Sequence, residues 1–484
     1  MTLLLTIAEI KEFIEQDKTS SIKSEARKGQ DYYEGRHDIL SYRMFYYNDS
    51  GDLVEDKYRS NCKIAHRFFT ELVNQGTEYI MSGVDDFIIR SDDTELQKQL
   101  DIHFNKNRKF LNELAETITG MQAKGFDYMY AYKDKDDRLA FENADCLGVI
   151  EVEGRFAEDG KDQRIYRYLD RIDKDGKEQW KILVIDDTNT YYYIEKDNGD
   201  ILSDENVAVN PKPHALYLKK GKLYVKDLVM LPFFRLDFDK NKTGLLPYVK
   251  PQIDDYDLMN SSLSNNLADF DTPLHVVRGF KGDNLDQLQQ NLKTKKMIGV
   301  SDTGGVEVHT VEIPYQARKE KMEIDEKNIY RFGMGMNTAG LKDSNATTNL
   351  AIMQSYALLD LRCKRLVRQI EMFLQPIVEL VLEDINKKEK KGYKFEQVWF
   401  NFKPKVMSND LENAQKALTE AQKQQTKVNL LLSLEPQLGH ELLMKQVCEE
   451  LDWEYEELKA QFEDPEEAVN SIVNASLEEE PIVK

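Results

Sequence analysis

The chain has 484 residues and a formal net charge of −21, because 87 Asp and Glu outnumber 66 Lys and Arg. This excess of acid argues against a protein that wraps nucleic acid, since neutralising phosphates requires a surplus of basic side chains. The four cysteines lie far apart and form no CxxC pair, which argues against a disulfide framework or a zinc site. No apolar run approaches the ~20 residues that a membrane-spanning helix needs, so we expect no membrane partner.

The first 120 residues are predicted to be mostly helical. Thr6 and Glu9 have the spacing of a capping box at the start of a helix. Apolar residues at helical intervals predict further helices near residues 62–82 and 109–122.

From about residue 126 to 236 the apolar period changes to two, which indicates an antiparallel β region with hairpins. The predicted strands are 164–171, 179–185, 190–195 and 222–225. The predicted turns are Asp175-Gly176, Asn198-Gly199 and Lys220-Gly221.

Helices are predicted again at 250–270 and 314–330, with a mixed segment between them. Residues 350–387 give the strongest helical pattern, on the order of 55 Å long at ~1.5 Å per residue. The residues of its apolar face are Leu350, Met353, Ala357, Leu358, Leu361, Ile370, Phe373, Leu374, Ile377, Val378, Val381, Leu382 and Ile385. Pro376 predicts a kink near Met372. A strand at 397–402 and a polar helical tail follow, and the whole pattern is typical of the α+β class.

Candidate chemistry is sparse. The sequence contains no phosphate-binding loop, no GxSxG and no HExxH, and its seven histidines are scattered. Asp254, Asp255 and Asp257 could hold magnesium in a nuclease or transferase, although neighbouring helix positions point apart. A second alternative is a peripheral structural protein that uses helix 350–386 against a membrane or a partner.

Basic residues form three clusters that are most simply solvated helix faces. They are Lys293, Lys295 and Lys296; residues 318–321; and Arg362, Lys364, Arg365 and Arg368.

Four segments together resemble the portal family of tailed bacteriophages, in the form found in siphophages and prophages of Gram-positive bacteria. Residues 32–40 (YYEGRHDIL) are similar to the family's Tyr-Tyr-x-Gly-x-His-x-Ile segment. Residues 61–83 and 124–132 are similar to its Asn-x-Lys…Tyr-Leu-x-Gly helix and to its Gly-aromatic strand. Residues 253–270 are similar to its stem helix, Ile-Asp-x-Tyr-(Asn/Asp)-x-x-x-Ser-x-x-x-Asn. Residues 333–337 (GMGMN) depart from the family's Gly-Gly-Asn-x-Ser-Gly.

The resemblance implies a portal fold with named parts. The wing comprises 1–249, with N-terminal helices followed by an antiparallel β region. Stem helices at 250–271 and 312–330 flank a small α/β clip at 272–311. Residues 331–404 hold the tunnel loop, the long kinked helix and a returning wing strand, and 405–484 form a helical crown.

The resemblance also implies a function without catalysis, cofactor or metal. Family members form dodecameric rings at one capsid vertex, through which double-stranded DNA passes transiently during packaging and ejection. The implied partners are the terminase large subunit, a head-completion or adaptor protein, the scaffold and the major capsid protein. The protein would be assembled in the host bacterial cytoplasm and would reside in the virion.

Three sets of site residues are implied by the same resemblance. The tunnel loop would present Asn337, Lys342, Ser344, Asn345, Thr347 and Thr348 to DNA. Basic residues that could face the channel are Arg318, Lys319, Lys321, Lys364 and Arg365. The clip would bind its partners through Lys293, Lys295 and Lys296.

Overall fold

The computed structural model divides the chain into two compact units, residues 1–342 with 355–406 and residues 343–354 with 407–484. The structure describes residues 5–57, 59–83, 88–133, 138–154, 161–171, 178–214, 216–219, 222–225, 230–270, 274–280, 300–309, 314–337, 349–402, 410–433, 439–450 and 453.

Five α-helices lie in the described part of the first 124 residues, which agrees with the prediction that this region is mostly helical. They are α1 (Ile7–Lys18), α2 (Ser21–Tyr33), α3 (Phe68–Met81), α4 (Thr94–Leu100) and α5 (Arg108–Lys124). The capping box is confirmed: the Thr6 hydroxyl accepts from the Glu9 N–H at 3.3 Å, and the Glu9 carboxylate accepts from the Thr6 N–H at 2.6 Å. α3 begins six residues later than predicted, because the residues before it are extended.

A two-stranded hairpin interrupts this helical region. β1 (Phe45–Tyr47) pairs with β2 (Leu53–Glu55), and the sequence pattern did not predict either strand. Gly51 in the connecting turn has a φ of +82°, a conformation that favours glycine.

The β region forms two main antiparallel sheets, as predicted. In the first, β4 (Phe126–Lys133) lies between β5 (Leu139–Ala144) and β14 (Phe233–Asp237). The second has the order β10-β9-β8-β7-β6, with an extra strand, β11, on β9. Its strands are β6 (Val149–Val152), β7 (Gln163–Arg171), β8 (Glu178–Ile185), β9 (Asn189–Glu195), β10 (Ile201–Ser203) and β11 (Lys212–Pro213).

A separate hairpin joins β12 (Leu216–Lys219) to β13 (Lys222–Val225). The predicted turn at Asn198-Gly199 is confirmed by Gly199, whose φ is +80° between β9 and β10. The other two predicted turns, at 175–176 and 220–221, lie outside the described residues.

Helix α6 (Leu246–Phe270) and helix α7 (Tyr315–Phe332) occupy the two predicted stem positions. α6 begins four residues earlier than predicted, and Pro251 lies inside it. Pro251 is exposed, so the carbonyl that lacks its hydrogen-bond partner can bond to water. Between the two helices, β15 (Leu274–Phe280) pairs with β16 (Val300–His309). Any helical part of the predicted clip falls within 281–299, outside the described residues.

The long predicted helix is α8 (Asn349–Glu389), a single element of 41 residues that continues through Pro376. Its buried face agrees with the predicted one from Ile370 to Ile385. The prediction is wrong at Ala357, Leu358 and Leu361, which are exposed.

The side that is buried in this part of α8 carries Leu359, Arg362, Cys363 and Leu366 instead. Arg362 and Cys363 hydrogen-bond to backbone carbonyls of the α3 region, which turns that side of the helix inward.

Three cores stabilise the first unit. In one of them, Ala26 of α2 packs with residues of both main sheets. The other two differ in size. The larger one packs α3, α5 and α8 against the three-stranded sheet, with Phe69, Leu72, Ile118 and Ile377 fully buried. A smaller one packs α1 on the six-stranded sheet.

The predicted returning strand exists as β17 (Trp399–Phe400), which pairs with β3 (Ile89–Arg90). In the second unit, α9 (Asp410–Ser433) and α10 (His440–Glu450) contact each other. Within the described ranges, the structure contains no helix of the length and apolarity needed to cross a membrane.

Candidate functional site

Helices α6 and α7 form an antiparallel pair. The Lys321 ammonium of α7 bridges Asp255 of α6 and Asp325 of its own helix. At one end of the pair, Tyr248 near the start of α6 and Phe332 at the end of α7 line one groove. The chain therefore runs along α6, turns at the β15–β16 hairpin and returns along α7.

A stripe of polar side chains on α6 holds an extended backbone segment, residues 60–66. Four side chains accept hydrogen bonds from alternate backbone N–H groups of that segment. The pairs are Asp269 with Ser60 (3.0 Å), Asn265 with Cys62 (2.6 Å), Ser261 with Ile64 (3.1 Å) and Asp257 with His66 (2.9 Å). We call this arrangement the side-chain ladder.

The ladder works because two repeats coincide. Four residues of an α-helix rise about 6.0 Å, and two residues of an extended chain span about 6.6 Å. A polar residue at every fourth helix position therefore meets every second N–H of a strand that runs antiparallel to it. Asp257, Ser261 and Asn265 are almost fully buried, and their buried acceptor oxygens are satisfied by these backbone N–H groups.

The first rung of the ladder is also a cluster of two histidines and a carboxylate. Asp257 is fully buried and contacts His37 Nδ1 at 2.7 Å and His66 Nδ1 at 2.8 Å. Burial raises the pKa of Asp257, but the hydrogen bonds from His37, the His66 ring and the His66 N–H outweigh it, so the pKa is lowered overall. The carboxylate thus fixes both the 32–40 segment and the 60–66 segment on α6.

A second polar contact lies one turn earlier on α6. Lys250 bridges Asp254 of its own helix (2.6 Å) and Asp38 (2.7 Å), and the Tyr32 hydroxyl donates to Asp254. Tyr32 also stacks on His37, with ring centroids 4.5 Å apart. Three of the four segments that carry the family resemblance therefore meet at α6.

The carboxylates of the metal-enzyme alternative do not converge. Asp254 contacts Lys250 and Tyr32, Asp255 contacts Lys321, and Asp257 contacts the two histidines. Each already has its own cationic or hydrogen-bonding partner, so this geometry lends no support to a shared magnesium site.

The donor atoms of Asp127, Asp145 and Cys146 lie within 4.8 Å of one another. The Lys124 ammonium already ion-pairs with Asp127 at 3.0 Å and with Asp145 at 2.8 Å. An ammonium therefore supplies the positive charge that a metal would bring to this cluster.

Three of the five basic residues expected to face a channel are ion-paired. Lys319 lies 3.9 Å from Glu323, Lys364 lies 2.7 Å from Asp360, and Lys321 bridges two aspartates as described above. Arg365 is exposed and makes no ion pair with another described residue, whereas Arg318 is partly buried.

Residues 333–337, which lead into and begin the expected tunnel loop, are held by side-chain hydrogen bonds. Arg362 is buried, although the sequence pattern suggested a solvated cluster; it donates to the carbonyls of Gly333 (2.7 Å) and Leu72 (2.8 Å). Gln75 both donates to and accepts from the Met336 backbone, at 2.9 and 3.0 Å. Asn337 donates to Glu326 at 3.4 Å.

Residues 338–348 lie outside the described residues, and with them the loop candidates Lys342, Ser344, Asn345, Thr347 and Thr348. The same holds for Lys293, Lys295 and Lys296 of the expected clip.

Sequence reasoning missed the roles of His37, His66 and Arg362. The four-residue spacing of Asp257, Ser261, Asn265 and Asp269 was the available signal, since a polar stripe on an otherwise half-apolar helix indicates a polar partner.

A sequence profile described as "Phage portal protein, SPP1 Gp6-like" matches residues 12–453. The chain is 27% identical to the portal protein of Bacillus phage SPP1 over 358 residues, which cover 72% of this chain and 67% of that protein. It is 26% identical to the portal protein of Clostridium phage phiCD119 over 189 residues, which cover 38% of this chain and 41% of that protein. The chain thus belongs to the SPP1 Gp6-like family of phage portal proteins.

Proposed function

We propose that twelve copies of this chain form a ring at one capsid vertex, with a central channel for DNA packaging and ejection. The observation that carries the proposal is the family match over residues 12–453, which includes α6, α7 and the hairpin between them. In this proposal α6 and α7 are the stem, and residues 272–311 form the clip.

Charge supports a channel through which DNA slides. Each chain carries −21, so a ring of twelve would carry roughly −250 formal charges and would repel a phosphate backbone. The basic residues of the stem are consistent with this, because Lys319 and Lys321 are neutralised by carboxylates. Lys342 is our candidate for brief phosphate contacts, together with the polar side chains of the tunnel loop.

The side-chain ladder is consistent with a stem that is rigidly attached to the wing and can transmit force to it. α6 is hydrogen-bonded to residues 60–66 at four positions spaced about one turn apart, and it is joined to 32–40 through Asp257 and Lys250. We propose that terminase large subunit and then a head-completion protein bind the clip at one end of this stem. Lys293, Lys295 and Lys296 are our candidates for that contact, and scaffold and major capsid protein would meet the wing.

Light scattering on a size-exclusion column, followed by negative-stain microscopy, tests the proposal. We expect a particle many times heavier than 56.4 kDa with a central hole. A stable monomer at micromolar concentration would contradict the proposal. Metal-dependent nuclease turnover that Asp255→Ala abolishes would instead support the enzyme alternative.

A further inference from the structure

The β1–β2 hairpin exposes apolar side chains on both of its faces. The exposed fractions are 53% for Phe45, 42% for Tyr46, 75% for Tyr47, 59% for Leu53 and 37% for Val54. A lone two-stranded hairpin is marginal in water, and contiguous exposed apolar residues mark a contact surface. We call residues 43–57 the aromatic hairpin.

The aromatic hairpin has a hydrogen-bonded turn, and the segments on either side of it are bound to α6. Its turn is closed by the Asn48 side chain, whose oxygen accepts from the N–H groups of Ser50 (3.0 Å) and Asp52 (2.8 Å). Before the hairpin, Asp38 is bridged to Lys250 of α6. After it, the side-chain ladder holds residues 60–66 on the same helix. The structure thus presents an apolar arm from one flank of α6.

A groove lies on a different flank of the helix pair. Its volume is about 640 Å³, and its lining includes Phe238, Tyr248, Phe332, Leu361, Arg365 and Arg368. Tyr248, Phe332 and Leu361 are 49%, 45% and 60% exposed. The lining contains basic residues and no acidic ones, and Arg365 and Arg368 make no ion pair with a described residue. We call it the basic groove.

The charges of the two surfaces are complementary. The hairpin's turn carries Asp49 and Asp52, both exposed and neither ion-paired to another described residue. The groove offers an apolar floor for aromatic rings and an arginine rim for those carboxylates.

The positions of the two surfaces suit neighbouring copies in a ring. Asp257 belongs to the side-chain ladder and lies on one side of α6. Tyr248, nine residues earlier, lines the basic groove. Nine residues of an α-helix turn through about 180°, so the two surfaces lie on opposite faces of α6. A ring needs two different, complementary patches on opposite flanks of each subunit.

We infer that the aromatic hairpin of one chain docks into the basic groove of the next chain. Tyr47 and Leu53 would pack on Phe332 and Leu361, and Asp49 and Asp52 would meet Arg365 and Arg368. This inference rests on the proposed ring, and it identifies a contact that joins each chain to its neighbour in that ring.

Charge reversal tests the contact. Variant one carries Asp49→Lys and Asp52→Lys, and variant two carries Arg365→Glu and Arg368→Glu. We expect each alone to lower the fraction of chain in rings by at least about tenfold at equal concentration, because like charges then face each other. Asp197→Lys with Glu205→Lys, two exposed acidic residues outside both surfaces, is the matched control and should assemble as the wild type does.

Rescue in a mixture of the two variants would show that each loses assembly through this contact and not through misfolding. Each unlike pair restores opposite charges, Lys on Glu in one contact and Asp on Arg in the next, so rings should reappear in the equimolar mixture. Native mass spectrometry would measure them.

Three results overturn the inference: both variants assembling normally, no rescue on mixing, or a defect confined to the groove variant. The last would mean that another segment covers the groove. If the unmutated chain formed no ring, the proposed function itself would fail, which is a separate outcome.

Discussion

The backbone N–H and the imidazole Nδ1 of His66 both lie within hydrogen-bonding distance of one carboxylate oxygen of Asp257, at 2.9 and 2.8 Å. The other oxygen of Asp257 meets His37 at 2.7 Å. One side chain on α6 thus joins two segments that are about 190 and 220 residues away in sequence.

Asp257→Asn should destabilise the fold by about 3 kcal/mol, because removing one partner of a buried charged cluster leaves the other partners unsatisfied. Urea denaturation at a fixed protein concentration measures the free energy of unfolding. Asp255→Asn is the control: its contact with Lys321 is partly exposed, so its loss should cost at most about 1 kcal/mol. If both substitutions lowered the free energy of unfolding equally, the histidine cluster would contribute no more to stability than the exposed ion pair.

Asn265→Leu should loosen the extended segment while leaving α6 intact. The substitution removes the acceptor for the Cys62 N–H, a hydrogen bond worth roughly 1 kcal/mol net. Hydrogen–deuterium exchange of peptides covering residues 59–67 should then become about five- to tenfold faster. Leu267→Ala, an exposed position on the same helix, should leave that exchange rate unchanged. Unchanged exchange in Asn265→Leu would mean that the ladder does not hold the segment.

The sequence was sufficient to predict elements that depend on neighbouring residues. It was not sufficient to predict the side-chain ladder. The Thr6–Glu9 capping box and the alternating strands of the β region depend on residues a few positions apart. The extended segment before α3 depends on acceptors that α6 supplies from about 200 residues away. The apolar residues of this segment continue the helical spacing of α3. A prediction from spacing alone therefore began the helix at residue 62 instead of 68.

The same reasoning explains the shifted face of α8. The helical spacing of apolar residues predicted that Leu358 and Leu361 are buried, because both side chains are apolar. The structure buries Arg362 there, because its guanidinium satisfies the carbonyls of Gly333 and Leu72. If the inferred docking is correct, Leu361 is covered only in the ring, which the sequence of one chain does not reveal.

His103 should make the protein less stable in mild acid. Burial lowers the pKa of His103 to about 4, and attraction to Asp384 offsets this only in part. Between the unfolded pKa of 6.5 and the folded value of about 4, the unfolded chain binds a proton that the folded one does not. Stability is therefore full above pH 6.5 and falls as the pH drops toward 4, by on the order of 2 kcal/mol from this group.

His103→Gln removes this titration, so its unfolding midpoint should decline less than that of the wild type between pH 6.5 and 4. At pH 7.5 the pH-dependent difference between the two proteins should vanish, which serves as the internal control. Parallel declines over the whole range would show that other groups cause the acid sensitivity.

Removing residues 341–345 from the expected tunnel loop should leave the ring assembled and lower the amount of DNA packaged or retained in heads. Assembly should survive because the contacts on the N-terminal side stop before the deletion. Gly333 is bound by Arg362, and Met336 is bound by Gln75. On the C-terminal side, α8 begins at Asn349, after the deleted residues.

The deleted residues include Lys342, the candidate phosphate contact, and Leu341, the only large aliphatic residue between 338 and 348. Gly340 and the neighbouring Ser, Asn and Thr residues favour turns over helix, as in a loop that reaches toward a ligand. Lys342→Ala alone should reproduce part of the defect, because it removes the charge and keeps the loop length. Quantifying DNA in purified heads decides the matter: heads that fill and hold full-length DNA with the shortened loop would show that it is only a connector.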